Sequence, residues 1–211
     1  MKKSIISVAC GCCGNNVDVE IQNSSYYSAF GLDGRPDNKN NFPEIYVCPK
    51  CGYASFDLKK KVSGNIDKIL KSEEYRTIFS DCDTYQKRLE LLNLLDDSEQ
   101  KEYTIKLALY SCWDYEYNGY VENAEKKRID ATKLLGGYIQ EKADYELLIM
   151  YVDSLRQLSE YDIAGELCRE VLPVLMQDKD AWGKYASFFN YEGNLIEQKD
   201  NKPHITSEVT L

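Results

Sequence analysis

With 211 residues and a formal net charge of −9, the chain is long enough for one domain with a real core, or for a small module beside a larger one. The charge is unevenly spread: residues 1–62 hold 8 basic and 6 acidic side chains, leaving 18 and 29 for residues 63–211. No apolar run approaches membrane-spanning length, and the acidic balance disfavours nucleic-acid binding, which draws its affinity from basic surface.

The first segment opens on Met1-Lys-Lys, followed by Ile5, Ile6, Val8 and Ala9. Its apolar stretch is about half the length an export signal requires. Eight cysteines without such a signal point to a reducing compartment, so a cytoplasmic location is expected. Ile5–Val8 reads as a strand that leads into Cys10-Gly-Cys-Cys13-Gly14 and out through the alternating run Val17-Asp-Val-Glu-Ile21. Ile45–Val47 leads in the same way into Cys48-Pro-Lys-Cys51-Gly52 and out through Tyr53–Phe56.

Two residues between paired cysteines let the chain turn into a knuckle that aims both sulfurs at one point, and a following glycine supplies the positive φ such a turn needs. Two knuckles complete a tetrahedron. The pattern predicts one structural Zn2+ held by Cys10, Cys13, Cys48 and Cys51 in a zinc-ribbon-like module over residues 1–62. A thioredoxin-like redox site would need a βαβ context, whereas strands follow both pairs here. Cys12 adds a third thiol to the first knuckle, but Cys10/Cys13 has the ligand spacing and Cys12 does not. That leaves Cys12, Cys82, Cys112 and Cys168 free. A module this small buries little apolar surface, so metal binding is expected to supply most of its folding free energy.

Between the knuckles runs Ser24–Pro43, rich in Gly, Asn, Asp and Pro. Loops of this length without periodicity are usually functional or mobile. Asp33, Arg35 and Asp37 bring mixed charge onto it, which suits contact with a ligand or partner, Arg35 pairing with a carboxylate. The alternative for the same residues is an internal salt bridge that pins the loop to the helical domain. Cys12, close to the thiolates, is a candidate oxidisable thiol, with simple packing as its alternative.

From Ser63 the pattern becomes helical, with no proline until Pro173. Helices are predicted at Asn65–Phe79, Thr84–Leu95, Glu99–Tyr117, Val121–Gln140, Asp144–Leu158, Tyr161–Met176 and Asp180–Glu197. A 34-residue frame beginning at Tyr145 places Leu148, Tyr151, Val152 and Leu155 inward on one helix. The same frame sets Ala164, Cys168 and Val171 at the seat of the next. The fold class predicted is therefore mainly α: an antiparallel, tetratricopeptide-like repeat domain over residues 63–200 behind the small β module, with a C-terminal tail at 201–211. The only histidine, His204, falls in that tail and is expected to be exposed. Seventeen tyrosines cluster at Tyr26/Tyr27, Tyr110–Tyr120 and Tyr185/Tyr191; they suit a peptide-gripping groove or, equally, half-buried positions between helices.

The Cys10–Cys13 knuckle, Asp33-Gly-Arg-Pro36, and Tyr46-Val-Cys-Pro-Lys-Cys-Gly-Tyr-Ala54 are the most specific strings in the chain. With Leu107–Trp113 and Val152–Leu158 they resemble the bacterial family catalogued as domain of unknown function 2225, over nearly the whole length. The resemblance implies a zinc-ribbon-like N-terminus on a tetratricopeptide-like domain in cytoplasmic proteins, and brings no mechanism. One departure stands out: Gly11 occupies the position after the first cysteine, where such proteins commonly carry proline.

Catalytic chemistry has few candidates. A four-cysteine zinc keeps no open position for water or substrate. A single histidine removes most acid–base and triad arrangements, and neither a phosphate-cradling loop nor a nucleophile elbow is present. The expectation is a non-enzymatic zinc protein that acts as an adaptor for a protein partner. The alternative is a thiol-based redox or metal-status sensor using Cys12 and the zinc thiolates.

Overall fold

A computed structural model of the chain describes residues 3–22, 30–62, 66–95, 101–141 and 144–209. Tyr26 and Tyr27, and the predicted helix starts at Asn65 and Glu99, lie outside them. Four short strands precede eight helices among the described residues: β1 Lys3–Ala9, β2 Asn16–Gln22, β3 Tyr46–Val47 and β4 Ala54–Ser55, then α1 Ile66–Leu70, α2 Glu73–Phe79, α3 Tyr85–Leu95, α4 Lys101–Tyr117, α5 Val121–Ile139, α6 Tyr145–Gln157, α7 Tyr161–Leu175 and α8 Lys179–Glu197. The chain is mainly helical with a small β region, as expected.

One predicted helix divides. The helix predicted to end at Phe79 is two helices, α1 and α2, over residues 66–79, because Ser72 takes an extended conformation and its hydroxyl accepts the Tyr75 N–H, capping α2. Pro173, by contrast, sits within α7 near its C-terminal end without ending it.

Two compact units emerge, and their boundaries follow packing rather than secondary-structure type. The first comprises Met1–Tyr26 with Asn40–Leu107; the second comprises Tyr27–Lys39 with Ala108–Leu211. The β module therefore shares its unit with α1–α3 and the start of α4, and the inter-knuckle loop belongs with the later helices.

In the first unit, β1 and β2 pair antiparallel with Val8 opposite Val17 and Ile6 opposite Val19. Alternation turns Val8, Val17 and Val19 inward and leaves Ile5 74% exposed. β3 and β4 form a second, shorter hairpin. The helices supply the core that the hairpins lack. Tyr75 of α2 is fully buried and donates its hydroxyl to the Gly52 carbonyl at 2.8 Å. Arg88 of α3 donates to Ile45 O at 3.3 Å and Glu44 Oε1 at 3.1 Å, and Leu89, Leu91 and Leu92 close the interior.

In the second unit, α6 packs on α5, α7 and α8, and α7 packs on α8. Val152 and Leu155 meet Ala164, Cys168 and Val171 in one cluster, with Leu148 and Tyr151 at its margin. Small residues at 164 and 168 let the two helices approach closely.

The C-terminal segment is not a free tail. Gly31 bridges to Ile205, Leu32 N–H donates to His204 O at 3.0 Å, and Thr206 N–H donates to Phe30 O at 2.7 Å. The buried Arg156 guanidinium also donates to the carbonyls of Asp200 and Lys202, at 2.6 and 2.8 Å. His204 is accordingly only 18% exposed. Its Nδ1 lies 2.6 Å from Glu208 and its Nε2 3.4 Å from Asp200. The expectation of an exposed histidine is overturned, because a fully buried cation on α6 needs acceptors and takes them from this segment.

Candidate metal centre

The two knuckles are built alike, bond for bond. Cys10 N–H donates to Asn15 O at 2.9 Å and Cys48 N–H to Tyr53 O at 2.8 Å; Gly14 and Gly52 N–H donate back to Cys10 O and Cys48 O, both at 2.8 Å. Closing so tight a turn needs a left-handed residue at its end, and Gly14 and Gly52 supply φ of 70° and 85°. The Phe79 ring lies at contact distance, 3.4 Å, from the position a Cβ on Gly52 would take, so it is the positive φ that requires glycine there.

The result brings Cys10, Cys13, Cys48 and Cys51 together with all four sulfurs within 4.8 Å of one another. Cys10 and Cys51 sulfurs are 3.8 Å apart, as are those of Cys13 and Cys48. A tetrahedral zinc with Zn–S bonds of about 2.3 Å separates its sulfurs by about 3.8 Å, whereas a disulfide would bring two of them to about 2.05 Å. All eight cysteines are free of disulfides. The donor set and its spacing fit one metal ion, and four soft sulfurs suit zinc.

Electrostatics favour a cation at this point. Burial raises the Cys10 and Cys51 thiols, and neighbouring sulfurs push Cys51 further up. The Cys13 thiol is lowered, first by its hydrogen bond with the Asn15 backbone. A divalent ion between the sulfurs would stabilise them as thiolates.

Cys12 stands outside the set of four. It is half-buried within hydrogen-bonding reach of Cys51, and burial raises its thiol. Glycine at position 11 has a specific reason. Its N–H donates to Leu58 O at 2.7 Å, which proline cannot do. A Cβ there would overlap the Lys60 carbonyl oxygen.

The loop residues Asp33 and Arg35 are engaged inside the second unit. Asp33 is 2% exposed; its Oδ2 accepts from Trp113 Nε1 at 2.9 Å and from Arg128 Nη1 at 3.0 Å. Burial alone would raise this carboxyl, but Arg128 and Arg35 outweigh it and hold it below the usual range. Arg35 pairs with Glu116 at 2.9 Å, its guanidinium 5.5 Å from the Tyr117 ring centre. Arg128, 4% exposed, also pairs with Glu116. Of the two readings of these residues, internal pairing describes Asp33 and Arg35. Asp37 is half-buried at the end of the loop.

Trp113, Glu116 and Arg128 were not legible as site residues. Arg128 closes the run Lys126-Lys127-Arg128, which looks like a solvated helix face, and only its partners distinguish it. Among the tyrosines, Tyr110 lies edge-on to Trp113 with ring centres 5.5 Å apart, and Tyr115 lies likewise against Tyr120 at 6.1 Å. Comparison of the chain with protein-family models, with curated proteins and with solved structures gave no match in any of the three.

Proposed function

We propose that the protein is a cytoplasmic, non-enzymatic zinc protein in which the metal organises the first unit and the helical second unit serves as an adaptor for a protein partner. The observation that carries this reading is the sulfur tetrahedron, whose spacing suits a closed four-thiolate zinc with no coordination position for substrate. The tetratricopeptide-like arrangement of α4–α8 belongs to the same proposal, on the strength of the 34-residue frame and the small residues seated at Ala164 and Cys168. So does kinship with the domain-of-unknown-function-2225 proteins, which rests on the cysteine knuckles and Asp33-Gly-Arg-Pro36.

Metal analysis of gently purified protein should find one zinc per chain, and cobalt substitution should give the intense thiolate charge-transfer bands of a tetrahedral centre. Metal-free, correctly folded protein would sink the proposal. The adaptor half predicts a reproducible partner whose capture survives Cys82→Ser, a substitution remote from the four sulfurs. Repeated capture of nothing above background counts against it.

A second reading draws on Cys12, whose sulfur neighbours Cys51: oxidation there releases the metal and signals thiol stress. Mild peroxide should then eject zinc from the wild type and much less from Cys12→Ser. Equal ejection from both removes the reading.

A further inference from the structure

Residues 30–37 form a tight hairpin in which Phe30 bridges to Pro36, Gly31 N–H donates to Arg35 O at 2.6 Å, and Gly34 turns the chain at φ 82°. The second unit reads this hairpin position by position. Leu32, 3% exposed, enters an apolar pocket of Leu195 and Val209 flanked by Phe188 and Tyr191. Asp33 meets two donors, Trp113 and Arg128. Gly34 lies where any Cβ would strike Met150. Arg35 meets Glu116 and the Tyr117 ring, and the Tyr117 hydroxyl donates to Pro36 O.

Such a surface imposes a sequence. Without the hairpin, a buried guanidinium and an indole N–H would lose their shared carboxylate, so any occupant must bring an acid to that point. It must also bring an apolar side chain before the acid, a residue that takes a positive φ after it, and a base next. Clefts lie open along the hairpin. One of about 370 Å³ runs beside Phe30, Leu32 and Gly34 toward Ile149 and Met150; another of about 530 Å³ runs beside Arg35 and Arg128 toward Gln157 and Asn201. An incoming chain can therefore gain contacts there before the hairpin leaves.

We propose that this face of the second unit is a recognition site for a turn-forming segment of a partner protein with the pattern apolar–Asp–Gly–basic, and that residues 30–37 hold the site as a built-in competitor. This rests on the adaptor reading and specifies its surface. A tethered competitor acts at an effective concentration of about 1 mM. A partner displaces it only by adding contacts in the flanking clefts, which keeps the site closed to weak ligands.

The test uses a fluorescein-labelled peptide of residues 30–37, Phe-Gly-Leu-Asp-Gly-Arg-Pro-Asp, and the full-length, metal-loaded protein. Anisotropy should show little binding to the wild type and at least about tenfold tighter binding to Gly34→Val, which disfavours hairpin docking but leaves the pocket intact. Asp33→Asn is the second, milder way to loosen the hairpin and should give the same direction. Adding Trp113→Phe to either variant, or replacing the peptide's Asp by Asn, should abolish the gain. Equal affinity of wild type and both loosened variants, or indifference to the peptide's Asp, overturns the proposal. That result leaves the adaptor reading to partner capture, which can succeed through another surface; failure of capture alongside peptide exchange sinks the adaptor role instead.

Discussion

Gly11 shows how much one residue carries in the first knuckle. Its amide is committed to Leu58 O and its α-carbon faces the Lys60 carbonyl, so Gly11→Ala should cost about 1–3 kcal/mol by overpacking and Gly11→Pro should cost more by also deleting the bond. Thermal melts of the zinc-loaded variants, with metal content measured alongside, check the order. Lys199 offers the opposite case. It ends α8 at φ 52°, with Asp200 N–H donating to Leu195 O at 2.9 Å, a left-handed cap that glycine adopts without strain. Lys199→Gly should therefore stabilise the protein by about 1 kcal/mol, seen as a higher melting temperature. Glu192 is fully buried beside Asp153 and Arg156, and burial followed by the Asp153 charge pushes its carboxyl up to about 9. A carboxyl whose folded pKa is raised stabilises the fold while protonated. Its contribution is present in full below the unfolded value of about 4.3 and is lost as pH climbs toward 9. Glu192→Gln, which stays neutral, should flatten that decline, so the variant gains on the wild type between pH 6 and 9 in denaturant titrations.

Elements are set by local chemistry at their ends. α6 and α8 begin at Asp144 and Asp178, each accepting two N–H groups of the first turn through its Oδ1, at 3.0 and 3.1 Å in both cases. Removing one cap, as in Asp178→Ala, should cost about 1 kcal/mol, detectable as faster amide exchange in the first turn of α8. The same logic explains why residues 66–79 are two helices: Ser72 stops one and caps the next. The hairpins are weaker elements. β3 and β4 are two residues each, too short to persist alone, and they hold their shape because Tyr75 and Arg88 bind their backbone.

At the scale of the molecule, the two units answer to different forces. The first gathers four sulfurs that could hold one metal ion, whereas the second closes on an apolar cluster from Ile149 to Ile196. Chelation should accordingly expose amides of residues 3–22 and 45–58 while α6–α8 keep their protection, a contrast that hydrogen exchange reads directly. Acid should act on the second unit through Asp33. Its folded carboxyl is lowered, so its stabilisation is complete above the unfolded value of about 3.9 and disappears as pH falls through the folded one. Trp113 emission in a Trp182→Phe background should shift only below about pH 4.

Sequence by itself determined what short-range chemistry controls. Four sulfurs, two glycines and the helical periods each lie within a few residues of what they specify, so the knuckles, seven of the eight helix C-terminal ends to within a residue or two, and the seating of Ala164 and Cys168 were legible. Tertiary structure alone decided where charge could be buried. Asp33 finds Trp113 and Arg128 across separations of 80 and 95 residues, and Arg156 reaches Asp200 and Lys202 across 44 and 46. No periodicity encodes such pairs, because a charged side chain reads as solvent-facing until packing supplies a partner of opposite sign and removes the water. Internal pairing of the loop is one of the two readings the sequence allows, and the assembled helices supply its partners; the C-terminal segment reads as an exposed tail until Arg156 takes its carbonyls.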